Sequence, residues 1–421
     1  MLPYFLSILD LKSLMYPAVT SDRKPLGIAE FVGLMALLTS LVALAVDAVL
    51  PAFPQIKSDL GVADMNHLQF LVTFVFLGMS IGQLVFGPVS DSIGRKTAIY
   101  IGMGVFVAGA VLASQATSLP VMLVGRFLQG VGAAAPKVVI IALIRDQYSG
   151  REMARITSFV MSVFIAVPAI APLMGQLTLM LAHWPTIFYA MLVQATVATL
   201  WLAVRQPETL HPEHRRPVSL ASLSYAAREI IKCRAAMLYT VGAGFVFASF
   251  MTYLSTAQPI FDGIYGVGAL FPVYFSSLAL IFGAASFVNG RIVRRFGMQL
   301  LCKVALTGVM TSALLYLGPV MLTGGQPPLW SFLIYLATTF FFLPLLFGNL
   351  NALAMEPLGH VAGTAATMVG SISTFVGLFL AMIIGSFYEG SLLPIVLGFG
   401  MLGATALVIF ISAEKMHSDP I

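Results

Sequence analysis

The chain has 421 residues, of which 59% are hydrophobic and only 9% charged, with a net charge of +5. A soluble domain carries about 25% charged residues, so this composition excludes an ordinary water-soluble protein and points to one embedded in lipid. Cys233 and Cys302 lie far apart beside basic segments; they do not imply a disulfide framework, and two distant cysteines make no metal site.

The first 28 residues contain a short apolar run interrupted by Asp10 and Lys12, which reads as a cytoplasmic or interfacial tail rather than a secretory signal. Apolar runs of spanning length follow along the chain. Six are predicted at about 29–50, 67–90, 98–116, 119–145, 153–179 and 184–204. Six more are predicted at about 235–258, 268–290, 299–322, 327–353, 359–387 and 391–412. The expected organisation is a tail (1–28), a six-helix half (29–204), a polar and basic linker (205–234), a second six-helix half (235–412) and a short tail (413–421). The fold class is therefore an all-α membrane protein of twelve transmembrane helices in two pseudo-symmetric halves.

Basic residues set the expected orientation. Lys12, Arg23 and Lys24 lie in the N-terminal tail, Arg95 and Lys96 after the second span, and Arg145, Arg151 and Arg155 after the fourth. Arg205, Arg215, Arg216, Arg228, Lys232 and Arg234 fill the linker, Arg291, Arg294 and Arg295 follow the eighth span, and Lys415 is in the tail. The alternate connections are bare of Lys and Arg except for Lys57. The positive-inside rule then puts both termini in the cytoplasm, and an even number of spans agrees.

The stretch LPVMLVGRFLQGVGAAAPKVVIIALIRD (119–146) is apolar enough to span, yet it contains Arg126 and Lys137. At about 100° per residue, Arg126, Gly130, Ala133 and Lys137 share one face. A cation at the bilayer centre costs roughly 2.5 kcal/mol on insertion scales, so this face is expected to line a water-accessible path. Lys137 lies about 16 Å of helix beyond Arg126. A second cavity cation favours acidic or zwitterionic cargo; the competing reading is that Lys137 snorkels to the inner headgroups. Asp47 is the one carboxylate well inside a span.

GPVSDSIGRKT (87–97) holds Gly87, Asp91, Gly94, Arg95 and Lys96 at the ends of two spans. Asp91 or Asp146 is expected to pair with Arg95 on the inner face. A weak internal repeat relates Gly87–Gly94 to Gly290–Gly297, and by analogy Arg294 or Arg295 is expected to pair with Glu356. Making and breaking such pairs is one way to bias a two-state rocking element. Internal repeats around a midplane site are a common transporter plan. Phe245, Phe247, Phe250, Met251 and Tyr253 on the seventh span, Phe340 to Phe342 on the tenth, and Asn349 and Asn351 are candidate cargo-cavity groups. Glu208, His211 and His214 are read as a polar loop rather than a metal site. No GxxxxGK[ST] stretch occurs, so any transport draws on a gradient rather than on nucleotide hydrolysis. No catalytic constellation is evident, and no enzyme is expected.

These motifs together resemble the major facilitator superfamily, and within it the Bcr/CflA-type drug–proton antiporters. GPVSDSIGRKT is similar to the family's loop between spans two and three, and RFLQGVGAAAPKVVIIALIRD to its fourth-span motif with Arg126 as the buried arginine. VDAVLPAFP (46–54) resembles the end of its first span, and GHVAGTAA (359–366) the start of its eleventh. VPAIAPLMGQ resembles the antiporter helix through Pro168, Pro172 and Gly175, with Ala171 and Gln176 in place of two usual glycines. The resemblance implies an Asp47/Arg126 region that handles protons and a bacterial inner-membrane exporter of small amphipathic compounds, antibiotics among them. It leaves open a proton-coupled importer of a siderophore or metabolite, and a membrane receptor or scaffold that does not transport. The expected partners are a small-molecule substrate, protons and lipid. No cofactor, metal or nucleic acid is expected, and the chain is expected to act as a monomer.

Overall fold

The structure, a computed structural model, describes residues 26–215, 217 and 220–418. Most of the expected N-terminal tail, with Lys12, Arg23 and Lys24, lies outside the described residues, as do Arg216 and the side chains of His214 and His360. Among the described residues twelve helices are long and apolar enough to cross a membrane. They are numbered α1 (Ile28–Asp47), α2 (Gln69–Ile93), α3 (Arg95–Ser114), α4 (Leu119–Gln147), α5 (Gly150–Leu181), α6 (Pro185–Arg205), α7 (Arg234–Gly263), α8 (Phe271–Phe296), α9 (Met298–Leu322), α10 (Leu329–Met355), α11 (Ala362–Ser386) and α12 (Leu393–Ser418). The architecture is all-helical, and no strand occurs among the described residues. Helices predominate because lipid offers no partner for backbone N–H and C=O groups, so each segment satisfies its own.

Each half is a six-helix bundle. In the first, α4 is the hub, packed along both α2 and α3, while α1 rests on α5 and α6 and α3 on α6. In the second, α7 packs on α10, α11 and α12, and α9 on α10 and α12. The halves meet along two seams, α2 against α11 and α5 against α8. Connections between helices alternate between two faces. The one carrying the linker and most of the Lys and Arg residues is the basic face.

The α2–α4 seam is built from small residues, as expected where helices associate without a hydrophobic drive. A Cβ on Gly130 would sit 1.9 Å from the Val75 carbonyl oxygen, and one on Gly78 would sit 2.1 Å from that of Phe127. Only glycine permits backbones this close. Prolines lie inside several helices, among them Pro88 in α2, Pro136 in α4 and Pro168 and Pro172 in α5, and α5 still runs as one helix through both of its prolines. At the basic face Arg205 closes α6 by a two-pronged pair with Glu30 of α1, at 2.6 and 2.8 Å.

Candidate functional site

Arg126 has no solvent-accessible surface. Its Nε donates to the Leu71 carbonyl on α2 at 3.1 Å, its Nη1 to Gln129 Oε1 at 2.9 Å, and its Nη2 to the Ala45 carbonyl on α1. The Phe188 ring of α6 faces the guanidinium at 5.8 Å. The side chain thus ties four helices together, its charge solvated by carbonyl dipoles and a ring face. This corrects the expectation that Arg126 lines a water path: the site around it is sealed, because three acceptors already surround the fork.

Asp47 is the last residue of α1 and 4% exposed. An anion at a helix C-terminus opposes the macrodipole, so it is not there as a cap. Ala45, whose carbonyl receives Arg126, is two residues away, yet among the described residues no cation lies within ion-pair distance of Asp47 and no donor reaches its carboxylate. Across the seam, Tyr253 of α7 is in electrostatic reach of Asp47, and its hydroxyl is buried without a hydrogen-bond partner among the described residues. Gly175 of α5 packs beside this corner, where a Cβ would lie 2.1 Å from the Ala48 carbonyl. Pro172 is buried and Pro168 half-buried on the same helix.

Lys137 points its Nζ toward Met79 Sδ on α2, at 3.9 Å. Residues pairing across the parallel α2–α4 seam place Gly82 level with Ala134. Met79 is therefore nearer the face opposite the basic one than Lys137 itself. The side chain leans toward its helix N-terminus, as helical geometry favours, so it does not snorkel to the basic face.

The opposing wall is aromatic. Phe250 of α7 stands 5.5 Å from Phe282 of α8, 6.5 Å from Phe340 and 5.9 Å from Phe347, both of α10. Phe247 joins Phe250 and Phe347, and touches Phe76 of α2 at 5.8 Å, closing the wall against the first half. Tyr253 meets Phe340 edge-on at 4.5 Å and stacks on Phe275 at 5.6 Å. Sequence reasoning found Phe250 and Phe340 but missed Phe282 and Phe347. Phe347 lies seven residues beyond Phe340, which is two helical turns and so the same face. Of the other candidates, Met251 is buried at 2% exposure, Phe245 is half-buried outside these ring contacts, and Phe341 is exposed. Asn349 donates to Asn289 Oδ1 of α8 at 3.0 Å. Asn351 is exposed and bonds the Phe347 carbonyl, so it continues the Phe340–Phe347 stripe toward the basic face.

On the basic face Arg95 is 2% exposed. It pairs with Asp91 and, through Nε at 2.9 Å, with Asp146, so both expected acids engage it. Ser90 Oγ accepts from Nη1 at 3.0 Å. Glu208 of the linker, read from sequence as a loop residue, completes the clasp. Its carboxylate accepts the backbone N–H of Arg95 at 2.9 Å and of Lys96 at 3.0 Å, capping α3. Lys96 sends its Nζ to the Ala203 carbonyl at 3.3 Å. Gly94 turns the chain with φ +105°. Gly87 packs against α11, where Thr367 would meet its Cβ at 3.3 Å. The only sequence clue to Glu208 was its acidity beside a basic loop.

The expected pairs of Arg294 or Arg295 with Glu356 do not form among the described residues. Glu356 caps the C-terminus of α10, its N–H still donating to the Ala352 carbonyl, and opens a 3-10 turn (Glu356–Val361), whereas Asp146 lies within α4. Arg295 lies over the Phe296 ring at 5.4 Å, and Lys303 of α9 pairs with Glu414 of α12 at 2.7 Å.

Away from the basic face the halves are clasped: Asn66 Nδ2 donates to the Tyr388 carbonyl at 2.7 Å, and Ser80 and Ser371 exchange hydrogen bonds at 3.2 and 3.0 Å. Toward the basic face α5 and α8 flank a cleft of about 770 Å³ lined by Ser158, Ser162, Ile165, Gly283, Ser286 and Arg294. Among the described residues no cluster of metal-ligating side chains occurs.

The architecture is thus two six-helix bundles that meet along two seams, α2–α11 and α5–α8. Residues 35–382 match the model of the Major Facilitator Superfamily, and the chain belongs to that family. It is 31% identical to the MFS-type transporter YdgK of Bacillus subtilis over 87% of this chain and 90% of that one. It is 29% identical to the bicyclomycin resistance protein homolog of Haemophilus influenzae over 88% and 92%. Its fold matches the crystal structure of a D-xylose–proton symporter with a TM-score of 0.73 at 13% identity, over 91% of this chain and 97% of that one.

Proposed function

We propose that the protein exports small amphipathic compounds, antibiotics among them, in exchange for protons, working as a monomer in a bacterial inner membrane with both termini in the cytoplasm. The observation that carries this reading is Asp47, a carboxylate buried at the junction of the halves with no donor to satisfy it. Such a group is expensive in an apolar interior and is retained where it binds and releases a proton. Arg126 holds α1 to α2 through Ala45 and Leu71, so a change at Asp47 is passed to the hub helix. Lys137 and the Phe250, Asn349 and Asn351 wall contact cargo. Gly87, Asp91, Gly94, Arg95, Lys96 and Asp146 hold the inner gate of the first half, and Pro168, Pro172 and Gly175 shape the helix that moves against α8.

The similarity to a bicyclomycin resistance homolog supports export of an antibiotic-like compound, and a proton crossing 100 mV supplies about 2.3 kcal/mol. The test is tolerance of an efflux-deficient bacterial host to a panel of toxic compounds, wild type against Asp47→Asn. Raised tolerance that disappears in Asp47→Asn, with equal protein in the membrane, supports the reading. Tolerance unaffected by the substitution sinks the coupling role, and accumulation of cargo in right-side-out vesicles driven by a pH gradient points to import.

A further inference from the structure

We infer that Lys137 is the anion-recognising group of the cargo site, and that the cargo is an aromatic or similarly apolar compound bearing a carboxylate or comparable anionic group. This rests on the junction of the halves being the transport site, but not on proton exchange.

Four observations converge. Lys137 lies nine residues from Leu128, which is half a turn around α4. Leu128 packs toward α3 at Gly109, so Lys137 faces away from α3 toward the junction of the halves. It is partly accessible, while the four residues before it are buried. Its Nζ reaches only Met79 Sδ, at 3.9 Å, and among the described residues no carboxylate lies within ion-pair distance. A thioether is a weak acceptor and leaves an ammonium with unused donors. Arg126, on the same helix, is the contrast: its fork is occupied by Leu71, Ala45 and Gln129, so it has nothing to offer a ligand.

The fourth observation is the wall in front. Phe76, three residues before Met79 on α2, touches Phe247, and Phe247 leads into Phe250 and Phe347. A compound with its rings against these phenylalanines has its polar end near Lys137. A neutral or cationic end would leave the ammonium unpaired; an anion satisfies it. Lysine acts here as a point charge, so the geometry of the anionic group is loosely specified.

The test is binding to the purified full chain in nanodiscs by equilibrium dialysis, with three matched probes: 2-naphthoate, its methyl ester and 2-naphthylmethylammonium. The wild type is expected to favour naphthoate over the ester by about tenfold or more, the yield of one charge-assisted hydrogen bond. Lys137→Met removes that preference and Lys137→Arg keeps it. Met79→Glu places a competing carboxylate beside Nζ and also removes it, while Met79→Gln keeps it. Should Lys137→Met not purify as a single species, Met79→Glu decides alone. A wild type that binds none of the probes, or shows no preference for naphthoate, overturns the assignment, as does a preference that survives in the deciding variant. Because the assay contains no gradient, failure of proton-driven export would leave this result standing, and loss of charge selectivity would leave export standing.

Discussion

The two halves are built to one plan but walled differently. In the first, α2 and α4 approach through Gly78, Gly82 and Gly130 until backbone touches backbone. In the second, the corresponding α8 and α10 are held apart by Phe282, Phe340 and Phe347, and a Cβ on Gly348 of α10 would meet nothing nearer than Asn289, at 3.9 Å. The first half can therefore hold charges at fixed positions, whereas the second offers an apolar surface whose rings can shift rotamer. The basic face repeats the contrast. Gly94 and Gly297 adopt similar backbones, with φ +105° and +78° and ψ 158° and 157°, each a single residue between two helices. Around Gly94 sits a four-member charge network; beyond Gly297, Lys303 and Glu414 form a partly exposed pair. The repeat has preserved the turn and not the network.

This contrast can be broken at its tightest point. Gly130→Ala drives a Cβ into the Val75 carbonyl at 1.9 Å and is expected to cost more than about 3 kcal/mol or abolish folding. Gly348→Ala in α10 is expected to be neutral or slightly stabilising, within about 1 kcal/mol. Thermal unfolding in detergent with size-exclusion profiles reads both, and equal losses would contradict the picture of one rigid and one loose seam.

Next in size is the charge network. Arg95 is buried while Lys303 is 42% exposed in its side chain. Arg95→Met strands Asp146 and is expected to cost about 3 kcal/mol, against less than about 1 kcal/mol for Lys303→Met. The same melts compare them, and a larger loss at Lys303 would reverse the assignment of the stronger clasp.

The two glycines sharpen the comparison further. Gly94→Ala combines left-handed strain with a Cβ 2.6 Å from Glu208 Oε2 and is expected to cost about 2 kcal/mol. At Gly297 nothing lies within 4 Å, leaving the backbone strain of its positive-φ, extended-ψ conformation, about 1–2 kcal/mol. Smaller than at Gly94 is the effect of Glu208→Gln, about 1 kcal/mol, since the amide oxygen still accepts one backbone N–H but without charge. A Gly94→Ala,Glu208→Ala double variant should recover the steric part of the loss; if it does not, Glu208 is not what fills the space behind Gly94.

Much was legible in the sequence because its causes are local. Twelve apolar runs, their basic connections and the charged residues of α4 follow from what a bilayer tolerates within a single segment. The helix ends moved by a few residues, and Arg95 found both of the acids offered to it. What the sequence could not fix were relations between helices far apart in the chain. Glu208 reaches Arg95 across 113 positions. Phe250 meets Phe282 and Phe347 only because α7, α8 and α10 converge. Arg126 was expected beside water and is instead surrounded by carbonyls of α1 and α2, and Glu356, capping α10, pairs with neither Arg294 nor Arg295 among the described residues. Burial cost marks which side chains need a partner, and that cost is written in one segment. Which partner they obtain depends on how the bundles pack, and only the tertiary structure decides that.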